Sequence, residues 1–283
     1  MTLDLIPALA FALLGLIIGS FLNVVIARLP PWLEHQWQRE ACEWLGQPGP
    51  EGRVPTLMYP ASHCPHCRHP LKWWHNLPVL SFLMLRGRCA FCASPIAWQY
   101  PTVELLNALW WGFCWLHAQG DWTQALWWST WGSMLLSMAW IDAKTMLLPD
   151  VLTLTLLWAA LVWAAWSGGP SDAATAVWGA VLGYGLLWLP ARLYAWLTGK
   201  TGMANGDFKL LAAIGASLGP IALPVVLLTA SLLSLGFALC AHGLARGRTS
   251  SELRDTAIPF GPALAAAAIL QHSLGGRIGL EWL

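Results

Sequence analysis

The sequence predicts an all-α polytopic membrane protein with about eight transmembrane helices and one small extramembrane module between the first two. Three observations carry that reading. The 283 residues are 57% hydrophobic and only 10% charged, where a soluble domain carries about 25% charged residues. The apolar residues gather into runs long enough to cross a hydrocarbon core. One long stretch, residues 28–101, breaks this pattern and holds two Cys-x-x-Cys pairs. The lipid bilayer is therefore an expected partner. A net charge of +1 gives no basic surface for nucleic acid, which is not expected as a partner. Nothing in the pattern sets an oligomeric state.

The runs fall at 5–27, 102–118, 124–141, 151–167, 173–196, 208–219, 221–244 and 258–273. The first lacks a basic segment ahead of it and is followed by Arg28, so it reads as a retained span rather than a cleaved signal. The turns 119–123 and 167–172 are short and carry no Lys or Arg. The sixth run is short and meets Gly219-Pro220, so it is either a separate element or one arm of a bent helix. Charge decides. With eight spans and the N-terminus outside, all of the 15 Lys and Arg residues except Arg277 lie on the cytoplasmic side. Merging the sixth and seventh runs would export Arg246, Arg248 and Arg254. The chain thus divides into a first helix (1–27), a cytoplasmic segment (28–101) and a membrane core (102–283). The pairs Gly15/Gly19 and Gly179/Gly183 are expected to let helix backbones approach closely. The 21 tryptophans are expected in interfacial belts. No internal repeat is evident.

The first half of the cytoplasmic segment, with Pro48-Gly49-Pro50, reads as an irregular linker. Its second half, about residues 60–95, carries Cys64-Pro-His-Cys67 and Cys89-Ala-Phe-Cys92, with 21 residues between the pairs. That is close to the spacing of a four-thiolate zinc ribbon. The metal would replace a hydrophobic core that so short a segment cannot build. A reducing cytosol favours zinc over disulfides. Four cysteines close the shell, so the zinc would be structural, and His63, His66, His69 and His75 read as solvated neighbours. Cys114 and Cys240 read as small packing residues.

Two acids stand at the ends of apolar runs. Asp142 closes the run 124–141, and Asp207 precedes the run 208–219 in Gly206-Asp207-Phe-Lys. An acid near hydrocarbon is a functional candidate by default. In the eight-span arrangement both reach the cytoplasmic face, although 65 residues separate them. Two carboxylates there could share one proton and hold a water between them, one as general base and the other as general acid. N-terminal capping competes as an explanation for Asp207 and fits Asp150 better. It does not explain Asp142, because a helix C-terminus disfavours negative charge. Gly206 would let substrate or the partner acid come close. Lys209 either tunes Asp207 or snorkels to the interface. Glu104 reads as a first-turn acid. Ser20 and Asn23 either bond between helices or touch substrate.

In order and spacing these features resemble the prepilin peptidases, the type IV prepilin leader peptidase/N-methyltransferase family of GxGD-type intramembrane aspartyl proteases. The resemblance rests on Gly19-Ser-Phe-Leu-Asn-Val-Val-Ile-Ala-Arg-Leu-Pro30, the cysteine pairs and Tyr100-Pro-Thr-Val-Glu104. It continues through Asp142, Leu148-Pro-Asp150, Gly206-Asp207-Phe-Lys-Leu-Leu-Ala and Ile258-Pro-Phe-Gly-Pro262. It implies Asp142 and Asp207 as the catalytic pair and Cys64, Cys67, Cys89 and Cys92 as zinc ligands. It also implies a place in the bacterial inner membrane, and prepilins or pseudopilins as substrates, for type IV pili or type II secretion. Methylation of the new N-terminus with S-adenosylmethionine follows from the resemblance alone, supported by the intact cysteine module. The family motif has glycine where this chain has Ala204, and the added methyl is expected to restrict the backbone near Asp207. The reading that competes from another class is a transporter relaying protons through Asp142 and Asp207.

Overall fold

The computed structural model describes residues 2–50, 52, 54–167, 172–200, 202–244 and 259–278. Arg53, Arg246, Arg248, Arg254, Ile258 and most of the turn at 167–172 lie outside the described residues, as does the side chain of Arg277. The helices are α1 (Thr2–Trp44), α2 (Leu80–Met84), α3 (Gln99–His117), α4 (Trp122–Thr145), α5 (Asp150–Ser167), α6 (Ala173–Thr198), α7 (Asn205–Leu218), α8 (Leu223–Leu244) and α9 (Gly261–Ile278). Short 3-10 turns lie at Trp73–Asn76 and Pro220–Ala222. Among the described residues there is no strand. Each expected apolar run is helical over most of its described residues. Among the described residues, three helical stretches can cross a membrane by length and composition: Leu5–Trp44, Ala173–Thr198 and Pro220–Cys240.

The chain folds as two compact units, Met1–Ser137 and Met138–Leu283. In the first, α1 packs along α3. Gly15 faces Ala108 and Trp111, and a Cβ on Gly19 would stand 2.8 Å from the Glu104 Cα. The absence of side chains there sets the close approach. Buried polar groups on α3 are paired with both α1 and α4. Asn107 Nδ2 donates to the Gly15 carbonyl at 2.8 Å, and Trp111 Nε1 donates to the Ser133 hydroxyl at 2.9 Å. Asn23 takes the interhelical alternative, donating to the Tyr100 carbonyl at 3.1 Å.

Three expectations change in this unit. Helix α1 does not stop near Arg28 but runs on to Trp44, taking Pro30 and Pro31 into the helix. Apolarity ends there, but Glu34, Gln36, Gln38, Arg39, Glu40 and Ala41 are good helix formers. Helix α3 begins at Gln99, so Glu104 lies beyond its first turn; its carboxylate is buried and accepts the Val79 amide at 2.8 Å. Trp111, Trp128 and Trp131 are buried rather than set in a belt. Trp110, which donates Nε1–H to the Trp128 carbonyl, fills the space where Gly132 has no side chain.

In the second unit α7 is the buried element, with Phe208 and every residue from Leu210 to Ser217 buried. It lies against α5 and α6. Gly179 on α6 and Gly215 on α7 cross so closely that a Cβ on either would overlap the carbonyl of the other. Gly183 meets Leu211 and Ala212 in the same way. Gly179→Ala is expected to destabilise by about 3 kcal/mol, the upper end for overpacking, because the obstacle is backbone. Thermal unfolding of the purified protein in detergent measures it, and an unchanged midpoint would contradict this crossing. Gly219 separates α7 from α8, with φ +82, a conformation that glycine accepts readily. The sixth and seventh runs are thus separate helices. Cys114 is buried as expected, but Cys240 is exposed and packs nothing inside.

Candidate functional site

Two groups of side chains can carry chemistry, one in each unit. In the second unit Asp142 lies one turn before the end of α4, and Asp207 is the third residue of α7. Both are buried, at 5% and 7% exposure. Burial first, and then the charge on Asp142, acts on the Asp207 carboxyl. Two carboxyl groups within reach of one water can hold it and one proton between them.

The local sequence explains the placement. Met146 follows α4 with φ +55, turning the chain out of the helix and into Leu148-Pro149. Pro149 precedes α5, which opens at Asp150. A Cβ on Gly206 would stand 2.7 Å from the Leu148 Cβ, so Gly206 makes room for this connection and not for the partner acid. Asp207 caps nothing: among the described residues no backbone N–H donates to its carboxylate. Ala204 takes the cap position, exposed, with φ −78 and ψ 147. That extended backbone suits any residue, so the methyl in place of the family's glycine causes no strain.

Lys209 does not tune Asp207 by contact. Its Nζ lies 2.7 Å from both carboxylate oxygens of Asp150, tying α7 to the start of α5. Asp150 is therefore an ion-pair partner, not simply a cap. The pair is partly solvent-exposed. Lys209→Ala is expected to lower stability by about 0.2–1 kcal/mol, with a double-mutant cycle against Asp150→Ala giving a coupling of the same size. Denaturant titration measures it; a coupling several times larger would show the pair to be shielded.

One participant has no role that the sequence alone assigns. The Gly261 amide, at the first position of α9, donates to Asp142 Oδ2 at 3.0 Å. A Cβ on Gly261 would stand 2.7 Å from that oxygen. The signal lay in Phe260-Gly261-Pro262. Proline suits a helix start and glycine permits close approach, but the partner is 119 residues away.

In the first unit the four cysteines converge. The Sγ atoms of Cys64, Cys67, Cys89 and Cys92 all lie within 4.8 Å of one another. The two knuckles are built alike. Cys64 N–H donates to the His69 carbonyl and Cys89 N–H to the Ser94 carbonyl, at 3.1 and 2.8 Å. Leu71 N–H reaches Ser62 and Ile96 N–H reaches Gly87, each at 2.8 Å. Arg68 and Ala93 hold equivalent left-handed positions, φ +56 and +57. Each knuckle turns one chain segment tightly enough to present two sulfurs on one side.

The donor set fits zinc. Four arms of about 2.3 Å in a tetrahedron put sulfurs about 3.8 Å apart, and Cys64 and Cys92 are 3.9 Å apart. Zinc binds thiolates. The Cys67 amide, then that of His66, pulls the Cys64 thiol down to about 6 against the effect of burial. Ser94 lowers Cys92. The neighbouring histidines stand outside the cluster. His69 lies against Phe91 in a tilted pair with ring centroids 3.6 Å apart, and His63 faces the Ala61 carbonyl.

Helices long and apolar enough to cross a membrane, two buried aspartates at helix ends and a four-cysteine cluster define a class of helical protein suited to a membrane. Comparison with known proteins narrows the class. Residues 13–118 match the bacterial peptidase A24 N-terminal domain, and residues 130–239 match the type IV leader peptidase family. The prepilin leader peptidase/N-methyltransferase of Aeromonas hydrophila is 46% identical over 98% of this chain and 92% of its own length. Those of Pseudomonas aeruginosa and Neisseria gonorrhoeae are 43% and 44% identical, over 96% and 89% of this chain and 91% and 85% of theirs. This chain belongs to the type IV leader peptidase family. No solved structure gives a significant match.

Proposed function

We propose that this chain removes the leader peptide of a type IV prepilin or pseudopilin and N-methylates the residue so exposed. The carrying observation is the buried, charge-coupled pair of Asp142 and Asp207 in a chain of this family. A water between the carboxyl groups loses a proton to one as its oxygen attacks the scissile carbonyl carbon. The other acid donates to the carbonyl oxygen, giving a neutral gem-diol. The first then protonates the departing amine, the second recovers its proton from the diol, and the C–N bond breaks. Each carboxyl ends as it began, and no metal is needed in the step.

The eight-span arrangement supports a site at the cytoplasmic face of the bacterial inner membrane, where a basic leader would stay. In that arrangement residues 1–27 form the first span, 28–101 the cytoplasmic segment and 102–283 the membrane core. Zinc would be held by Cys64, Cys67, Cys89 and Cys92, and would supply structure between residues 60 and 95, not Lewis acidity. The methyl donor is expected to be S-adenosylmethionine. With no strand among the described residues, a strand–turn–helix cradle of the dinucleotide type is not what would hold it.

Co-expression with a candidate prepilin, followed by mass analysis of its N-terminus, tests both activities at once. Leader loss with an added methyl group is the expected spectrum. An intact leader would refute the peptidase reading, and a trimmed but unmethylated product would refute the second activity.

A further inference from the structure

We propose that the two carboxyl groups are not interchangeable: Asp142 is the ionised member that takes the proton from water, Asp207 carries the shared proton, and the Gly261 amide fixes the difference. This assignment rests on the peptidase reading and adds the order of proton transfer to it. Three observations carry it. Asp142 Oδ2 accepts the Gly261 N–H at 3.0 Å, from the first residue of α9. Asp207, equally buried, receives no donor among the described residues. Gly261 has no Cβ where one would press on Asp142 Oδ2, so the close approach depends on this residue.

The physical argument compares two neighbours competing for one proton. A hydrogen bond to an ionised acceptor is about twice as strong as one to a neutral acceptor, so the amide favours charge on Asp142. The start of α9 adds its positive end there and offsets the unfavourable C-terminus of α4. Asp207 has only the diffuse field of the first turn of α7, which weakens within that turn. A directed bond at contact outweighs it. Once Asp142 is charged, its field opposes a second charge on Asp207.

Among the described residues, Lys209 on α7 is held by Asp150 on α5, and Lys144 on α4 and Arg192 on α6 are exposed. On α9, His272 and Arg277 lie beyond Gly261 by about 16 Å or more along the helix axis, at 1.5 Å per residue.

Catalysis then has a direction. The Asp142 carboxylate deprotonates water while the Asp207 O–H donates to the carbonyl oxygen. In the second half Asp142 gives the same proton to the leaving amine, and Asp207 is reprotonated by the diol.

The test reads protonation directly on the full-length protein in detergent at neutral pH. A nitrophenoxy epoxide alkylates carboxylates, and a copper-activated diazoacetyl ester modifies undissociated carboxylic acids. Peptide mapping locates each adduct. The epoxide is expected on Asp142 and the diazo reagent on Asp207. Gly261→Ala is expected to shift epoxide labelling away from Asp142 and to lower kcat more than it changes KM. The reverse pattern, equal labelling of both residues by either reagent, or adducts at neither overturns the assignment. So does Gly261→Ala with wild-type labelling and kcat. Normal processing by Asp142→Asn and Asp207→Asn would instead refute the peptidase reading, while the labelling would still report on the pair.

Discussion

Asp142→Asn and Asp207→Asn are each expected to lower leader removal by roughly 10⁴-fold, the upper range for a positioned general acid or base. The double variant should be no slower than either single one, because the two groups act as a unit around one water and removing either stops the same step. Asparagine keeps the shape of aspartate. In Asp142→Asn the side-chain carbonyl can still accept the Gly261 amide, so the fold should survive. The measurement is the rate of prepilin cleavage by purified variants, with helix content followed by circular dichroism. Either variant processing at a rate near wild type, with a folded protein, would sink the two-carboxylate mechanism.

The same geometry bears on the transporter reading. A relay that carries protons across a bilayer needs its acids along a path through the hydrocarbon, near the middle of spans. Asp142 is three residues from the end of α4, and Asp207 is the third residue of α7. Both are at helix ends, not along a path through the middle of spans. An acid at mid-span would have served the opposite function with the same composition.

The helices were legible because crossing hydrocarbon leaves a coarse signature: long apolar runs, ended by charge or by Gly-Pro. Gly219-Pro220 marked the break between α7 and α8, and φ +82 at Gly219 is its physical form. The knuckles were legible because four thiolates need a short, fixed spacing. The extension of α1 was not, since apolarity falls at Arg28 while helix propensity does not. The burial of Trp131 was also hidden, because the same residue type serves an interfacial belt or a core, and composition does not choose. Asp142 with Gly261, and Lys209 with Asp150, were illegible as pairs. Their partners lie 119 and 59 residues apart, and only packing says which polar group meets which.

Cys64→Ser combined with Cys89→Ser is expected to abolish zinc binding and unfold residues 60–95. Among the described residues from 45 to 98, Cys64 and Cys89 are the only buried side chains. Leu77, Leu80, Leu83 and Met84 are all exposed there, so no hydrophobic core stands behind the knuckles. On the zinc reading, stability would come from the metal, whose binding contributes about 10–16 kcal/mol in small zinc-folded peptides at neutral pH. The double variant leaves two thiolates, one from each knuckle, too few for a closed tetrahedral shell. The expected result is one zinc per chain in the wild type and none in the variant, with new protease cleavage confined to residues 60–95. A strong chelator applied to the wild type should reproduce that cleavage pattern, because it removes the same cross-link without changing the sequence. Full zinc content in the purified double variant, or a protease-resistant module without metal, would mean that something other than four-sulfur coordination holds the knuckles together.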